Sequence, residues 1–288
     1  MGIRMGKYDW NARQQRLCGL MQEAGIDCLL QFPAVNMGYL TGRMLMQDER
    51  LNLYLLTADG KKAAFANTVY QTEVEEWDVA DKCYWKDGED PWKILKGFLA
   101  GQGYGRKKMM VDGSMPSRFT FPMMDAFPET AFVLADGLYS RLRRRKDEEE
   151  YEAMKTSCQL CSEALEEVMA QGRGLIGMTE GQLRDILCRA MEKRGISNAG
   201  ALVCAGENAA IPHYTRSDGK IEDGKCLLVD FGGTFDGYWS DMTRTFYFGA
   251  PPEDFRRAYE VVREALLLGH KEAYPGNRME NVDKAVRG

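Results

Sequence analysis

Two aspartates, Asp230 and Asp241, have the setting from which we expect chemistry in this 288-residue chain. They lie within residues 227–249, where two runs rich in β-branched, aromatic and aliphatic residues flank a cluster of glycines around Asp236. This pattern is typical of a β-hairpin, with turn formers between two strands. Asp230 belongs to the first predicted strand and Asp241 to the second, so the turn decides how the two carboxylates are related.

The sequence leaves two registers of this hairpin open. With Phe235 and Asp236 at the tip, Asp230 lies directly opposite Asp241. With a shift of two positions, Asp230 faces Thr243 and Asp241 is its diagonal neighbour. Both registers place the two carboxylates on one side of the sheet, because alternate residues of a strand point the same way.

Two carboxylates on one face of a strand pair repel each other, so a compensating cation is expected beside them. Like charges facing each other there cost about 0.2–1 kcal/mol. Carboxylate oxygens suit hard divalent ions such as manganese or magnesium, so Asp230 and Asp241 are candidate metal ligands. The alternative is that one of the two aspartates points to solvent or caps the turn.

Three segments resemble those of a known family. Residues 230–245 read Asp-x-Gly-Gly-x-x-x-Gly-Tyr-x-x-Asp-x-Thr-Arg-Thr, similar to the first metal-ligand segment of the pita-bread metallopeptidases. That family includes Xaa-Pro aminopeptidases, Xaa-Pro dipeptidases and methionine aminopeptidases. Residues 206–214, with His213, resemble the Xaa-Pro branch, in which this histidine borders the substrate pocket. Residues 25–42 resemble the creatinase-like amino-terminal domain that many Xaa-Pro peptidases carry.

The resemblance implies a site for two divalent ions, which are manganese, cobalt or zinc. In the family these ions are held by two Asp, one His and two Glu. Asp230 and Asp241 match the two Asp, and His213 matches the substrate-binding histidine. Thr243 is expected on the same side of its strand as the carboxylates, where it would support them. Arg244 is expected on the opposite side.

The other three ligands of the family lie beyond a Pro-Gly break such as Pro275-Gly276, and the sequence stops at Gly288 before any of them. His270 lies in a helical context and is a poor substitute. The 288 residues are either a fragment of a longer reading frame or a natural truncation. We expect an inactive fragment, with an incomplete metal site and no catalytic residue of its own.

The predicted fold class is α/β (α+β). Strands alternating with helices predict a layered α/β domain in the first half. A sharp change from basic residues 141–146 to acidic residues 147–150 marks the expected boundary. The resemblance then divides the chain into a creatinase-like domain at residues 1–140 and the first part of a pita-bread domain at residues 141–288.

The composition excludes several classes of partner. Lys and Arg total 38 against 43 Asp and Glu, for a net charge of −5, which gives no general electrostatic reason to bind nucleic acid or an anionic membrane. No run of eighteen apolar residues is present, and the start lacks the apolar core of a signal peptide, so we expect a cytoplasmic protein. The eight cysteines are scattered like small buried hydrophobes, not like a disulfide framework.

Three functions are compatible with these residues. The favoured one is a metal-dependent Xaa-Pro aminopeptidase or dipeptidase, which hydrolyses the bond before proline with a metal-bridged hydroxide. Its substrate is a peptide or dipeptide with proline in second position, and the family commonly forms homodimers through the first domain. The alternatives are a non-catalytic pita-bread protein that binds peptides or partners, and a metal-free creatinase-like hydrolase of guanidino compounds. The presence of both aspartates counts against the last.

Overall fold

The structure is a computed structural model that describes residues 8–104 and 107–288. Its contacts group the chain into two compact units, Met1–Glu152 and Ala153–Gly288. The division at residue 140 that the charge pattern suggests stays a prediction about domain boundaries. None of the helices in the described part of the chain is both long and apolar enough to cross a membrane.

The first unit contains a six-stranded sheet and its helices. In chain order the elements are α1 (Trp10–Glu23), β1 (Cys28–Gln31), α2 (Val35–Thr41), β2 (Leu53–Thr57), β3 (Lys62–Asn67), α3 (Gln71–Glu75), β4 (Asp81–Trp85), α4 (Pro91–Gly101), β5 (Lys108–Val111), α5 (Ser117–Ala126), β6 (Ala131–Leu134) and α6 (Asp136–Arg143). The strands of the sheet lie in the order β4-β3-β2-β1-β5-β6. β1 is antiparallel to β2 and parallel to β5.

The central strand β1 is buried on both faces of the sheet of the first unit. Leu29 of β1 belongs to one apolar core together with Leu17 of α1. The next residue, Leu30, belongs to a second core together with Leu95 of α4. Successive side chains of a strand point to opposite faces, so a strand covered on both sides reads as a continuous apolar run. The sequence of β1 has this form.

Local signals set where helices begin. The Asp9 carboxylate accepts a hydrogen bond of 2.9 Å from the backbone N–H of Ala12 and caps α1. Asp90 caps α4 in the same way, with Pro91 in the first helical position.

A buried carboxylate organises the ends of β1 and β5. Asp112 accepts hydrogen bonds from Gln31 at 2.7 Å and Asn36 at 2.8 Å. The backbone N–H and hydroxyl of Ser114 also donate to it. Burial by itself raises the pKa of Asp112, but these hydrogen bonds outweigh burial and the pKa lies below its ordinary value. The charged form is therefore the one that the fold stabilises.

The second unit packs helices on one face of a three-stranded antiparallel sheet. Its elements, starting with the helix that crosses the division, are α7 (Glu148–Met169), α8 (Glu180–Lys193), β7 (Ser197–Ala205), β8 (Cys226–Phe235), β9 (Tyr238–Tyr247), α9 (Glu253–Glu272) and α10 (Met279–Arg287). The strands lie in the order β7-β8-β9. The core contains Leu165, Leu187, Val229 and Phe231.

The last two helices pack on each other, with Gly269 of α9 close to Val286 of α10. The sequence predicts α9 as an amphipathic helix, and the helix is confirmed. Its apolar side chains are nevertheless exposed, including Tyr259, Val262 and Leu266. His270, rejected above as a metal ligand, is exposed on the same helix.

Candidate active site

The hairpin that carries the two aspartates is present, and the structure selects one of its two registers. β8 and β9 are joined by Asp236 and Gly237, which have φ values of 48° and 84°. Two successive positive φ values define the two-residue hairpin turn that favours Asp-Gly. This turn pairs Asp230 with Thr243, so the shifted register is correct and the register with Asp230 directly opposite Asp241 is wrong.

Asp230 and Asp241 lie on the same face of the sheet. Asp241 pairs with Gly232, which is two residues beyond Asp230 on β8, so the two aspartates are diagonal neighbours. Asp230 is half-buried and Asp241 is exposed. Both line an open depression of about 350 Å³, whose other lining residues are Gly200, Ala201, Leu202, Phe231, Gly232, Trp239 and Ser240.

The opposite face of the same strands forms the core. Val229 and Phe231 alternate with Asp230 along β8 and are buried. Arg244 pairs with Val229, which places it on the side away from the carboxylates, as the sequence predicts. The apolar residues thereby decide which face is free for the aspartates, since a shift of one residue would exchange the two faces.

Thr243 fixes one of the carboxylates. Its hydroxyl donates a hydrogen bond of 2.7 Å to Oδ1 of Asp230. The arginines Arg173 and Arg194 of this unit are paired with Asp223 and Glu167 instead. Within the described residues, Asp230 and Asp241 therefore do not belong to a closed network with basic side chains.

Gly232 lets the two strands approach where Asp241 is held. A Cβ at this position would lie 1.9 Å from the carbonyl oxygen of Ser240 and 3.4 Å from Cα of Asp241. Only a residue without a side chain fits between β8 and β9 here. The glycine thus sets the spacing of the strands that carry the two aspartates.

The carboxylates of Asp230 and Asp241 are of the chemical type that binds divalent cations. Carboxylate oxygens are what hard divalent ions prefer, and a hydroxyl such as that of Thr243 orients a ligand from outside the site. In residues 8–104 and 107–288, however, no group of three or more His, Cys, Asp or Glu side chains is arranged to hold a metal ion. Two carboxylates leave most of the coordination of an ion to water. The ligand roles of Asp230 and Asp241 stay predictions.

His213 lies in a separate segment, the loop of residues 206–219 between β7 and β8, which we call the histidine loop. The loop begins with a 3-10 turn, Gly206–Ala210. His213 is exposed and has a φ of 52°, a left-handed conformation in which histidine is among the more frequent non-glycine residues. It is not among the residues that line the depression between the aspartates. Its role with substrate stays a prediction.

A residue that sequence reasoning missed anchors this loop. Glu180 begins α8 and is buried, and its carboxylate accepts hydrogen bonds from the backbone N–H groups of Ala205 and Gly219. It also accepts one from the side chain of Asn208. In sequence, an acidic residue after the capping threonine indicates only a favourable helix start. The contacts with the loop lie 25 to 39 residues away and leave no local signal.

Comparison with known proteins places these features in a family. Residues 152–288 match the sequence profile of "Metallopeptidase family M24", and residues 13–145 match that of "Creatinase/Prolidase N-terminal domain". The Mycobacterium bovis protein "Probable dipeptidase PepE" is 30% identical over 296 residues, which cover 100% of this chain and 77% of that protein. The chain belongs to metallopeptidase family M24. The predicted resemblance is thereby confirmed.

The chain is also similar to an Xaa-Pro dipeptidase and to a prolidase. The Xaa-Pro dipeptidase of Pyrococcus furiosus is 26% identical over 291 residues, covering 96% of this chain and 76% of that protein. The crystal structure of the prolidase of Thermococcus sibiricus superposes with a TM-score of 0.90 at 28% identity, covering 98% of this chain and 77% of that one. The predicted α/β fold class, a creatinase-like domain followed by a pita-bread domain, is confirmed.

Proposed function

We propose that this protein is a metal-dependent peptidase that hydrolyses the bond before proline, as an Xaa-Pro dipeptidase or aminopeptidase. The observation that carries the proposal is the placement of Asp230 and Asp241 on one open face of the β8–β9 hairpin. The similarity to a dipeptidase, an Xaa-Pro dipeptidase and a prolidase supports it. Peptides with proline in second position are the proposed substrates.

The roles of the residues follow from their positions. Asp230 and Asp241 would hold divalent ions, for which we propose a pair of manganese, cobalt or zinc. Such ions, when bound, supply an activated water and polarise the peptide carbonyl. Thr243 keeps the Asp230 carboxylate in one orientation through its hydrogen bond. His213 would contact the substrate from the histidine loop.

Two carboxylates do not complete such a site. Among the described residues no third ligand accompanies them. We propose that the 288 residues alone bind metal weakly and have no appreciable peptidase activity, and that further ligands complete the site. Localisation in the cytoplasm and formation of a homodimer stay predictions.

The test of catalysis uses the product of the complete reading frame, loaded with Mn²⁺ or Co²⁺. We expect it to hydrolyse Ala-Pro and Leu-Pro and to leave Leu-Gly nearly intact. Asp230→Asn and Asp241→Asn should each abolish hydrolysis, while Asp185→Asn, which removes an exposed partner of Arg184, should not. A loaded protein that leaves every Xaa-Pro peptide intact would refute the proposal in favour of a non-catalytic binding protein.

The test of metal binding uses the 288-residue chain. Calorimetric titration with Mn²⁺ should show weak binding that either aspartate substitution removes. Elemental analysis that finds a pair of tightly held ions per chain would contradict the proposal that the site is incomplete.

A further inference from the structure

The strongest unassigned feature of the second unit is the buried carboxylate of Glu180. This side chain is 1% exposed, although an ionised carboxylate is costly to remove from water. Its Oε1 accepts from the backbone N–H of Ala205 at 2.7 Å and from Nδ2 of Asn208 at 2.9 Å. Its Oε2 accepts from the backbone N–H of Gly219 at 3.0 Å.

These three donors come from the residue before the histidine loop, from its first turn and from its last residue. Ala205 ends β7 immediately before the loop, and Gly219 is the last residue of the loop. Asn208 lies between them, in the 3-10 turn that precedes His213. One carboxylate thereby connects the two arms of the loop, a task that a neutral side chain with fewer acceptor sites cannot fill.

The first turn of α8 holds the returning arm as well. The backbone N–H of Glu180 donates to the carbonyl of Gly219 at 2.8 Å, and that of Gly181 donates to the carbonyl of Ser217 at 2.9 Å. The N-terminal N–H groups of a helix have no partner within the helix, so these loop carbonyls satisfy them. The loop and the helix start therefore depend on each other.

The space around the carboxylate is filled. A Cβ at Gly219 would lie 2.7 Å from Oε1 of Glu180 and 2.6 Å from Nδ2 of Asn208. The loop is thus pressed against the carboxylate, with no room for a water in place of the direct hydrogen bonds at this point. The loop is thus anchored at Asn208 and at Gly219, on either side of the left-handed backbone of His213.

We propose that Glu180 is a positioning residue that holds the histidine loop in the conformation that receives substrate. It sets the affinity for substrate through His213 and does not touch the reacting atoms. This inference rests on the proposed peptidase function for its effect on substrate, while its effect on the loop is independent of that function. Asp230 and Asp241 lie on β8 and β9, and within the part of the chain that the structure describes Glu180 makes no hydrogen bond to either aspartate. Loss of the Glu180 carboxylate should therefore leave the rate of the chemical step largely unaffected.

The test compares Glu180→Gln with a matched control on the same helix. Gln182→Ala removes the capping-box hydrogen bond to the backbone of Thr179, and it leaves every contact with the histidine loop intact. In the complete, metal-loaded protein, Glu180→Gln should raise KM for Leu-Pro by about ten- to a hundredfold, because buried donors lose their acceptor. kcat should change by less than about threefold. Gln182→Ala should leave both unchanged, and Glu180→Asp should restore part of the loss.

A second measurement does not depend on activity. The chain has only two histidines, so proton NMR of the imidazoles follows His213 directly, with His270→Asn to assign its signal. Glu180→Gln should shift the His213 signal and speed exchange of the Gly219 amide, whereas Gln182→Ala should do neither. Unchanged signals and exchange in Glu180→Gln, or equal effects of the two variants, would overturn the inference.

The two measurements separate the two proposals. If the wild-type protein hydrolyses no Xaa-Pro peptide, the peptidase proposal fails, while the NMR and exchange comparison still decides whether Glu180 holds the loop. If the wild-type protein is active and Glu180→Gln keeps the wild-type KM, the positioning role is refuted and the peptidase assignment stands.

Discussion

Replacement of Gly232 by alanine is the sharpest test of how the candidate site is built. The new Cβ would lie 1.9 Å from the carbonyl oxygen of Ser240, whereas ordinary contact begins near 3.4 Å. The strands β8 and β9 must therefore separate locally by about 1.5 Å, the difference between these distances. Asp241, which pairs with Gly232, moves with its strand.

The expected loss of stability is about 2–3 kcal/mol. Overpacking of a filled site costs about 1–3 kcal/mol, and each weakened ladder hydrogen bond adds about 0.5–1.5 kcal/mol. Alanine in a strand is more favourable than glycine by about 0.5–1 kcal/mol of folding free energy, which offsets part of this loss. Gly200→Ala is the matched control, because Gly200 pairs with Gly232 from β7 and a Cβ there meets no atom within 4 Å. We expect this control to be neutral or slightly stabilising.

Urea unfolding followed by circular dichroism measures the two variants. Because the chain has two compact units, a single two-state transition is not assumed, and amide exchange in β8 and β9 assigns the loss to the hairpin. Mn²⁺ binding should weaken in Gly232→Ala and persist in Gly200→Ala. Equal unfolding midpoints for the two variants, or wild-type exchange in the hairpin of Gly232→Ala, would refute the reasoning.

Further predictions concern the first unit. Because the pKa of Asp112 is lowered, its stabilising effect is present above about pH 4 and is lost as pH falls through the folded value. Asp112→Asn should therefore unfold more easily at pH 7, with the difference from wild type shrinking in acid. Burial and the charge of Asp27 raise the pKa of Cys28 to about 12. The folded state is therefore stabilised by the neutral thiol below about pH 9, and this stabilisation is lost as the pH rises through the folded pKa. Ellman's reagent at pH 8 should leave this thiol unmodified until urea unfolds the chain. Gly42→Ala should cost more than Gly25→Ala: both have positive φ, but only at Gly42 does a Cβ clash, at 2.3 Å from the Trp10 indole.

Features that depend on near neighbours in sequence could be predicted. Asp9 caps α1, and Thr179 with Gln182 forms a capping box at the start of α8. In each case a side chain and a backbone group only three residues apart satisfy each other, so local chemistry is sufficient. The family resemblance read from the sequence rests likewise on short motifs, whose residues lie close together along the chain.

Burial along α9 is a case that the sequence pattern could not decide. Its helical periodicity predicts one apolar face, and the helix forms as expected. Val262 and Leu266 on that face are more than half exposed. Periodicity reports which side chains share a face, but only the packing of other elements decides whether the face is covered.

The sequence by itself determined a hairpin with an aspartate on each strand, because the alternation of residue types and the Asp-Gly turn act over a few bonds. It did not choose between the registers that pair Asp230 with Asp241 or with Thr243, since this choice depends on how the buried residues of both strands pack. Tertiary structure alone brought Glu180 to the histidine loop. Contacts between residues 25 to 39 positions apart form only when α8 packs against β7, and they leave no trace in local spacing.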